Sequence, residues 1–268
     1  VPLNLAITIR AASASMGALS LEGLNATARL TPAAMTLDPT EFQVFGGRYT
    51  GSLAFTLADV PGFTVNAALS GVDLGAAMAF AGSPGLMTGR LSAKLAMTGR
   101  GLDAATVMAG ARGTTRIDVT DGVVKNLGLL RSVVVATSGR DGAGGAIADL
   151  GNTRDEPFTR LGATLQIGGG SAATQDLRFE SANLSMTTAG VIRLDGSQLD
   201  LAGNLQLSPE LSKQAGRDLV RYTQEGGRVT IPVTITGSAD APQVRPDVAD
   251  MAKRALKNRA TEEVQKTL

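Results

Sequence analysis

The sequence has no cysteine, no histidine and no tryptophan. Without cysteine there is no thiolate to ligate a metal, form a disulfide or act as a nucleophile. Without histidine there is no imidazole ligand, and every acid–base dyad or triad built on histidine is excluded. Aromatic residues make up 3% of the 268 residues, and charged residues 18% with a net charge of +1. Such a balance creates no field that would gather nucleic acid. No run of about 20 apolar residues is written anywhere, so no segment reads as a membrane-spanning helix.

What the chain does have is aliphatic residues, alanine and 33 glycines, within a 43% hydrophobic composition. The apolar residues recur with a period of two. Leu3, Leu5, Ile7 and Ile9 begin the pattern, and Leu24, Ala26, Ala28 and Leu30 continue it, followed by Phe42 and Val44. Leu53, Phe55 and Leu57 come next, then Phe63, Val65, Ala67 and Leu69, then Leu91, Ala93, Leu95 and Met97, then Thr115, Ile117 and Val119. The second half adds Leu161, Ala163, Leu165 and Ile167, then Leu177 and Phe179, then Leu199, Leu201, Leu205 and Leu207, then Val229, Ile231, Val233 and Ile235. Alternation of this kind, joined by short Gly, Asp and Pro links, predicts antiparallel strands with one dry face and one wet face.

Helical signals are few. Asp73 and Asp103 read as caps of short helices through Leu74, Ala77 and Met78 and through Val107 and Met108. Residues 127–137 read as a helix in preference to a buried strand. Ser208-Pro209-Glu210 opens another, over 208–224, and Pro246 is expected to open the last, over 246–268, with Val248, Ala252, Leu256, Ala260, Val264 and Leu268 as its stripe. That stripe is rich in alanine, so packing on the sheet is favoured over lying on an anionic membrane, despite Arg254, Lys257 and Arg259. The glycine-rich stretch 138–156 reads as a flexible loop between two strand-rich halves, 1–137 and 157–268, of one continuous domain. The chain opens on Val1-Pro2-Leu3-Asn4-Leu5, already in alternation, and is expected to be a piece of a longer protein.

No constellation of reactive residues emerges. Residues 133–146 superficially resemble a phosphate loop, but neither the glycine spacing nor a surrounding βαβ unit supports one. Ser92 and Lys94 share a strand face, as polar residues on solvated strands do. Asp73, Asp103, Asp121 and Asp195 read as backbone partners at turns and caps, and Glu262-Glu263 beside Lys266 as a solvated helix face. No enzymatic activity, cofactor or metal is expected.

Four stretches in order carry a resemblance: Phe45-Gly46-Gly47-Arg48-Tyr49-Thr50-Gly51; Leu91 to Gly101 followed by Leu102-Asp103; Asp121-Gly122-Val123-Val124-Lys125-Asn126-Leu127; and Ile231-Pro232-Val233-Thr234-Ile235-Thr236-Gly237 running through Ala241-Pro242 to Arg245-Pro246-Asp247. Together with 158–207 they resemble the C-terminal region of the AsmA-like family of Gram-negative envelope proteins, over most of the chain from about residue 20. The motifs are not catalytic; the likeness lies in their order and spacing. The resemblance implies a periplasmic protein held in the inner membrane through an N-terminal segment outside this sequence. The resemblance also implies a relation to bridge-like lipid-transfer proteins and a link to phospholipid movement toward the outer membrane and to envelope integrity. A phospholipid or other acyl-chain lipid is the implied partner, with other envelope proteins as further partners, and no nucleic acid.

The expected fold is mainly β: a strongly curved antiparallel sheet forming an apolar groove, with a few short helices and a C-terminal helix. Its lipid-lining face is expected to carry Leu53, Phe55, Leu57, Phe63, Val65, Leu69, Leu91, Leu95, Leu165, Ile167, Leu199, Leu201, Leu205, Val229, Ile231 and Val233. The other reading is a structural or assembly factor for outer-membrane proteins, whose sheet binds protein and conducts no lipid. A transmembrane β-barrel is disfavoured, because aromatic girdles are missing and helices interrupt the strands.

Overall fold

A computed structural model of the chain describes residues 4–132, 154–214, 224–225 and 227–247. The protein is mainly β. Fourteen strands form one antiparallel sheet. They are β1 (Leu5–Met16), β2 (Leu19–Leu30), β3 (Ala34–Val44), β4 (Gly47–Thr56), β5 (Gly62–Asp73), β6 (Met87–Arg100), β7 (Arg112–Val124), β8 (Glu156–Gly168), β9 (Ser171–Glu180), β10 (Leu184–Arg193), β11 (Leu199–Leu207), β12 (Gln224–Glu225), β13 (Arg228–Gly237) and β14 (Pro242–Pro246). From β1 to β11 the strands lie side by side in chain order, β13 follows β11, and β12 and β14 both pair with β13. Among the described residues no pairing joins β1 to β14, so the sheet is not closed.

Short links dictate the meander. Phe45-Gly46 and Gly169-Gly170 make two-residue turns with positive φ at both positions, which match the twist of adjacent antiparallel strands. Two links hold one short helix each. The Asp73 carboxylate accepts the Ala76 N–H at 3.0 Å and starts α1 (Leu74–Phe80). Asp103 accepts the Thr106 N–H at 2.8 Å while the Thr106 hydroxyl accepts the Asp103 N–H, a capping box that starts α2 (Ala104–Gly110). Ser208 starts α3 (Pro209–Gln214), its hydroxyl accepting the Leu211 N–H. β7 and β8 pair from Gly113↔Ile167 to Val124↔Glu156, so the strands on either side of residues 138–153 belong to one sheet.

Bulges keep the apolar side chains on one face. Between β5 and β6 the register shifts between Leu69 and Val72, past Gly71 at φ +65°, so Val72 takes the inward place. Between β6 and β7 it shifts beside Asp121 (φ +53°) and Gly122.

Several boundaries differ from the sequence reading. Leu184–Arg193 is a strand although no alternation marks it, because Thr188 and Gly190 occupy inward positions between Met186 and Ile192. Asp121-Gly122 lies inside β7 at a bulge instead of in a turn. Glu156 begins β8, and Gln224 belongs to β12. Pro246 closes β14, paired with Val233, and the Asp247 N–H continues that edge by donating to the Pro232 carbonyl at 2.8 Å. The expected helix therefore does not start at Pro246; its stripe, from Val248 on, lies outside the described residues. Residues 129–132 are helical, and the rest of the expected 127–137 helix also lies outside them.

The core sits on one face of the second half of the sheet. Val119, Leu161, Phe179, Met186, Leu205 and Ile231 form one row of cross-strand partners. Leu129, Leu130 and Leu211 complete the same buried cluster. Phe158 and Phe179 meet at 5.5 Å between ring centres.

Candidate functional site

Cross-strand partners in an antiparallel sheet project to the same side. Following the partners strand by strand places almost every predicted lining residue on one face. Leu53 pairs with Leu37 and Val65, and Phe55 with Met35 and Phe63. Val65 pairs with Met97, Leu69 with Tyr49 and Ala93, and Leu95 with Ala67 and Thr115. Leu91 pairs with Val119, Leu165 with Thr115 and Thr174, and Ile167 with Gly113 and Ala172. Leu199, Leu201 and Leu205 pair with Ile192, Gly190 and Met186 on one side and with Gly237, Ile235 and Ile231 on the other. Val229 and Val233 flank Ile231 at two-residue spacing. Leu57 is the exception. β4 ends at Thr56, whose hydroxyl accepts the Gly62 N–H at 2.7 Å, and Leu57 lies in the link that this bond closes, exposed.

The face has two regimes of burial. Leu201, Leu205, Val229, Ile231 and Val233 are shut inside the core, with Leu205, Val229 and Ile231 at 0% exposure. Leu53, Phe63, Val65, Leu69, Leu91, Leu95, Leu165, Ile167 and Leu199 are half-buried, and Phe55 is 36% exposed. Helical residues 129–132 and α3 contribute to the core cluster, and these elements cover the second half of the face.

Several glycines lie inside strands on this same face. A Cβ on Gly51, Gly113, Gly190 or Gly203 would overlap the backbone carbonyl oxygen of Asn66, Ala96, Asp200 or Thr187 respectively. The missing side chains let the neighbouring strand close in on the apolar side. At Gly99 and Gly122 the vacated space is filled by the rings of Phe63 and Phe158. Met97, already part of the alternating series, and Met35 and Leu37, which the sequence reading did not name, also belong to the half-buried face; the last two follow from their partners Phe55 and Leu53 once the register is known.

Among the described residues one carboxylate, that of Glu156, enters the buried part of the apolar side. Glu156 is 3% exposed and accepts the Leu130 N–H at 2.9 Å, at the start of helical residues 129–132. Burial raises its pKa above the usual carboxylate value, opposed by the N–H groups of Leu130 and Leu129.

The opposite face is polar. Arg116, Asp118, Arg160, Asp176, Arg178 and Glu180 line a depression of about 350 Å³ there. Arg160 is ion-paired to Asp118, which raises the guanidinium pKa. The Thr164 N–H holds the Asp176 carboxyl below its ordinary range. Three guanidiniums and three carboxylates balance. Ser92 and Lys94 lie on this exposed side, opposite Asp118 and Arg116. Asp195 accepts both the N–H and the hydroxyl of Ser197, a turn role like the capping roles of Asp73 and Asp103.

Among the described residues there is no group of three or more Asp and Glu side chains placed to hold a metal ion, and no helix long and apolar enough to cross a membrane. No family model matches the chain, and no curated protein or solved structure matches it either.

Proposed function

We propose that this chain is a lipid-binding or lipid-conducting module, acting in phospholipid transport between the inner and outer membranes and in envelope integrity. The observation that carries the reading is the coincidence of two features on one side of the sheet. The half-buried aliphatic residues from β2 to β9 share that side with the glycines at Gly51, Gly113 and Gly190, all at positive φ. Glycine kinks and bulges are where a sheet curls, and curling toward the apolar side makes a groove. A groove of this kind shields acyl chains, each CH₂ of which loses about 0.8 kcal/mol of favourable burial when left in water. The head group stays in solvent. The stretches that resemble the AsmA-like family support the same reading, and with it a periplasmic location and an inner-membrane anchor in the full-length protein.

The path runs along the half-buried part of the face, over Leu53, Phe63, Val65, Leu69, Leu95, Leu165 and Ile167. A specific observation keeps a second reading in play. Leu205, Val229 and Ile231 are completely buried, as in a filled core with no space for a chain, which suits a structural or assembly factor for outer-membrane proteins. Native mass spectrometry of protein purified from a Gram-negative host separates the two. Phospholipid carried with the folded protein is the expected result; a folded protein that carries none, and takes up none from vesicles, overturns the lipid reading.

A further inference from the structure

The apolar face holds a small amount of unexplained polar chemistry. The hydroxyls of Thr40, Tyr49 and Thr115 are buried and have no hydrogen-bond partner among the described residues, in residues 2%, 7% and 7% exposed. Thr40 and Thr115 stand in one cross-strand row, Thr40↔Gly51↔Ala67↔Leu95↔Thr115. Four strand spacings, about 19 Å along the sheet, separate them. Tyr49 is in the next row and stacks on Phe42 at 4.5 Å. Burial raises its phenol pKa, so the phenol keeps its proton and stays a donor. A buried hydroxyl without a partner is costly, and valine or phenylalanine would keep the shape without that cost. The fourth unpaired hydroxyl, on Thr188, sits opposite Gly203, beside the closed core.

We propose that Thr40, Tyr49 and Thr115 are polar stations on the acyl path, each donating a hydrogen bond to an ester carbonyl of the lipid it carries. The inference rests on the reading of this face as an acyl path and names the cargo class, an ester-linked acyl lipid. The required acceptor is neutral. Lys94, Arg116 and Arg178 all lie on the other face, so nothing beside these hydroxyls would balance a buried phosphate. An ester carbonyl accepts without donating and travels attached to acyl chains. Aliphatic side chains of the face shift aside as the chain enters and bring the hydroxyls into reach.

The test compares a diacyl phosphatidylglycerol with its dialkyl-ether counterpart, matched in head group and chain length, each with the same fluorescent chain. Wild-type protein is expected to favour the ester by about fivefold per hydroxyl engaged. The triple variant Thr40→Val, Tyr49→Phe, Thr115→Val is expected to lose that preference, keep its affinity for the ether and melt no lower than wild type. Thr115→Val alone carries the same comparison if the triple variant fails to fold. Thr188→Val is expected to keep the full preference. Equal binding of ester and ether by wild type, or a preference that survives the triple variant, overturns the stations and leaves the acyl path standing. Binding of neither lipid overturns the path itself.

Discussion

The carboxylate of Glu156, the first residue of β8, accepts the backbone N–H of Leu130 at 2.9 Å inside an otherwise apolar cluster. It ties the helical residues 129–132 to the sheet and leaves a titratable group in the core. Its pKa is raised from an ordinary 4.5 by burial. The folded protein therefore holds this proton more tightly than the unfolded chain does. Its contribution to stability is fullest below pH 4.5 and declines as the pH rises toward the folded value. Glu156→Gln keeps an acceptor for Leu130 and removes the titration. The melting temperature of wild type relative to this variant should be higher at pH 4 than at pH 8; a pH-independent difference refutes the assignment.

Glycine inside a strand is a steric statement here. Gly113→Ala puts a methyl group against the Ala96 carbonyl oxygen at a φ of +152°. Strain of this kind costs about 1–3 kcal/mol before any overlap is counted. Gly168→Ala meets nothing within 4 Å among the described residues and should leave stability within about 0.5 kcal/mol of wild type. Urea midpoints measure both, and equal midpoints would contradict the close approach of β6 and β7.

A charge on the face separates path from core. Leu95 is half-buried on the proposed path, and Ile231 is fully buried in the closed half. Leu95→Asp should leave the protein folded and sharply reduce phospholipid loading. Ile231→Lys should cost several kcal/mol or unfold the protein. Normal loading by a folded Leu95→Asp protein removes that residue from the path.

Two phenylalanines make a similar contrast without charge. Phe179 is 1% exposed and packs on Phe158, so Phe179→Ala should cost about 3–5 kcal/mol. Phe55 is 36% exposed. Phe55→Ala should cost less than half as much and show its effect in lipid uptake, measured by transfer from labelled vesicles.

The strands were legible where inward positions are aliphatic, as at Leu91, Ala93, Leu95 and Met97. They were illegible where the inward positions are threonine or glycine, as at Thr188 and Gly190 in β10. The helix caps at Asp73 and Asp103 were legible because the carboxylate acts within three residues. Pro246 misled for the opposite reason. Proline suits the first turn of a helix and the end of an edge strand equally well, and only its pairing with Val233 on the preceding strand decides between them. Alternation told which residues share a face. It did not tell that Leu201, Leu205 and Ile231 are roofed over while Leu53 and Leu95 are not, because the roof comes from residues 129–132 and α3.

β1 at one edge and β14, which shares the other edge with the two-residue β12, differ in what they offer a passing strand. β14 is five residues long, begins and ends with proline and carries Arg245 between them. Its prolines have no N–H to give, so it works as a full stop. β1 is twelve residues long, without proline and with Arg10 as its single charge, and it exposes Leu5 and Ile7 at 42% and 48%. The sheet therefore has a direction. Among the described residues it offers a passing strand a full row of backbone N–H and C=O groups along β1 and an interrupted one along β14.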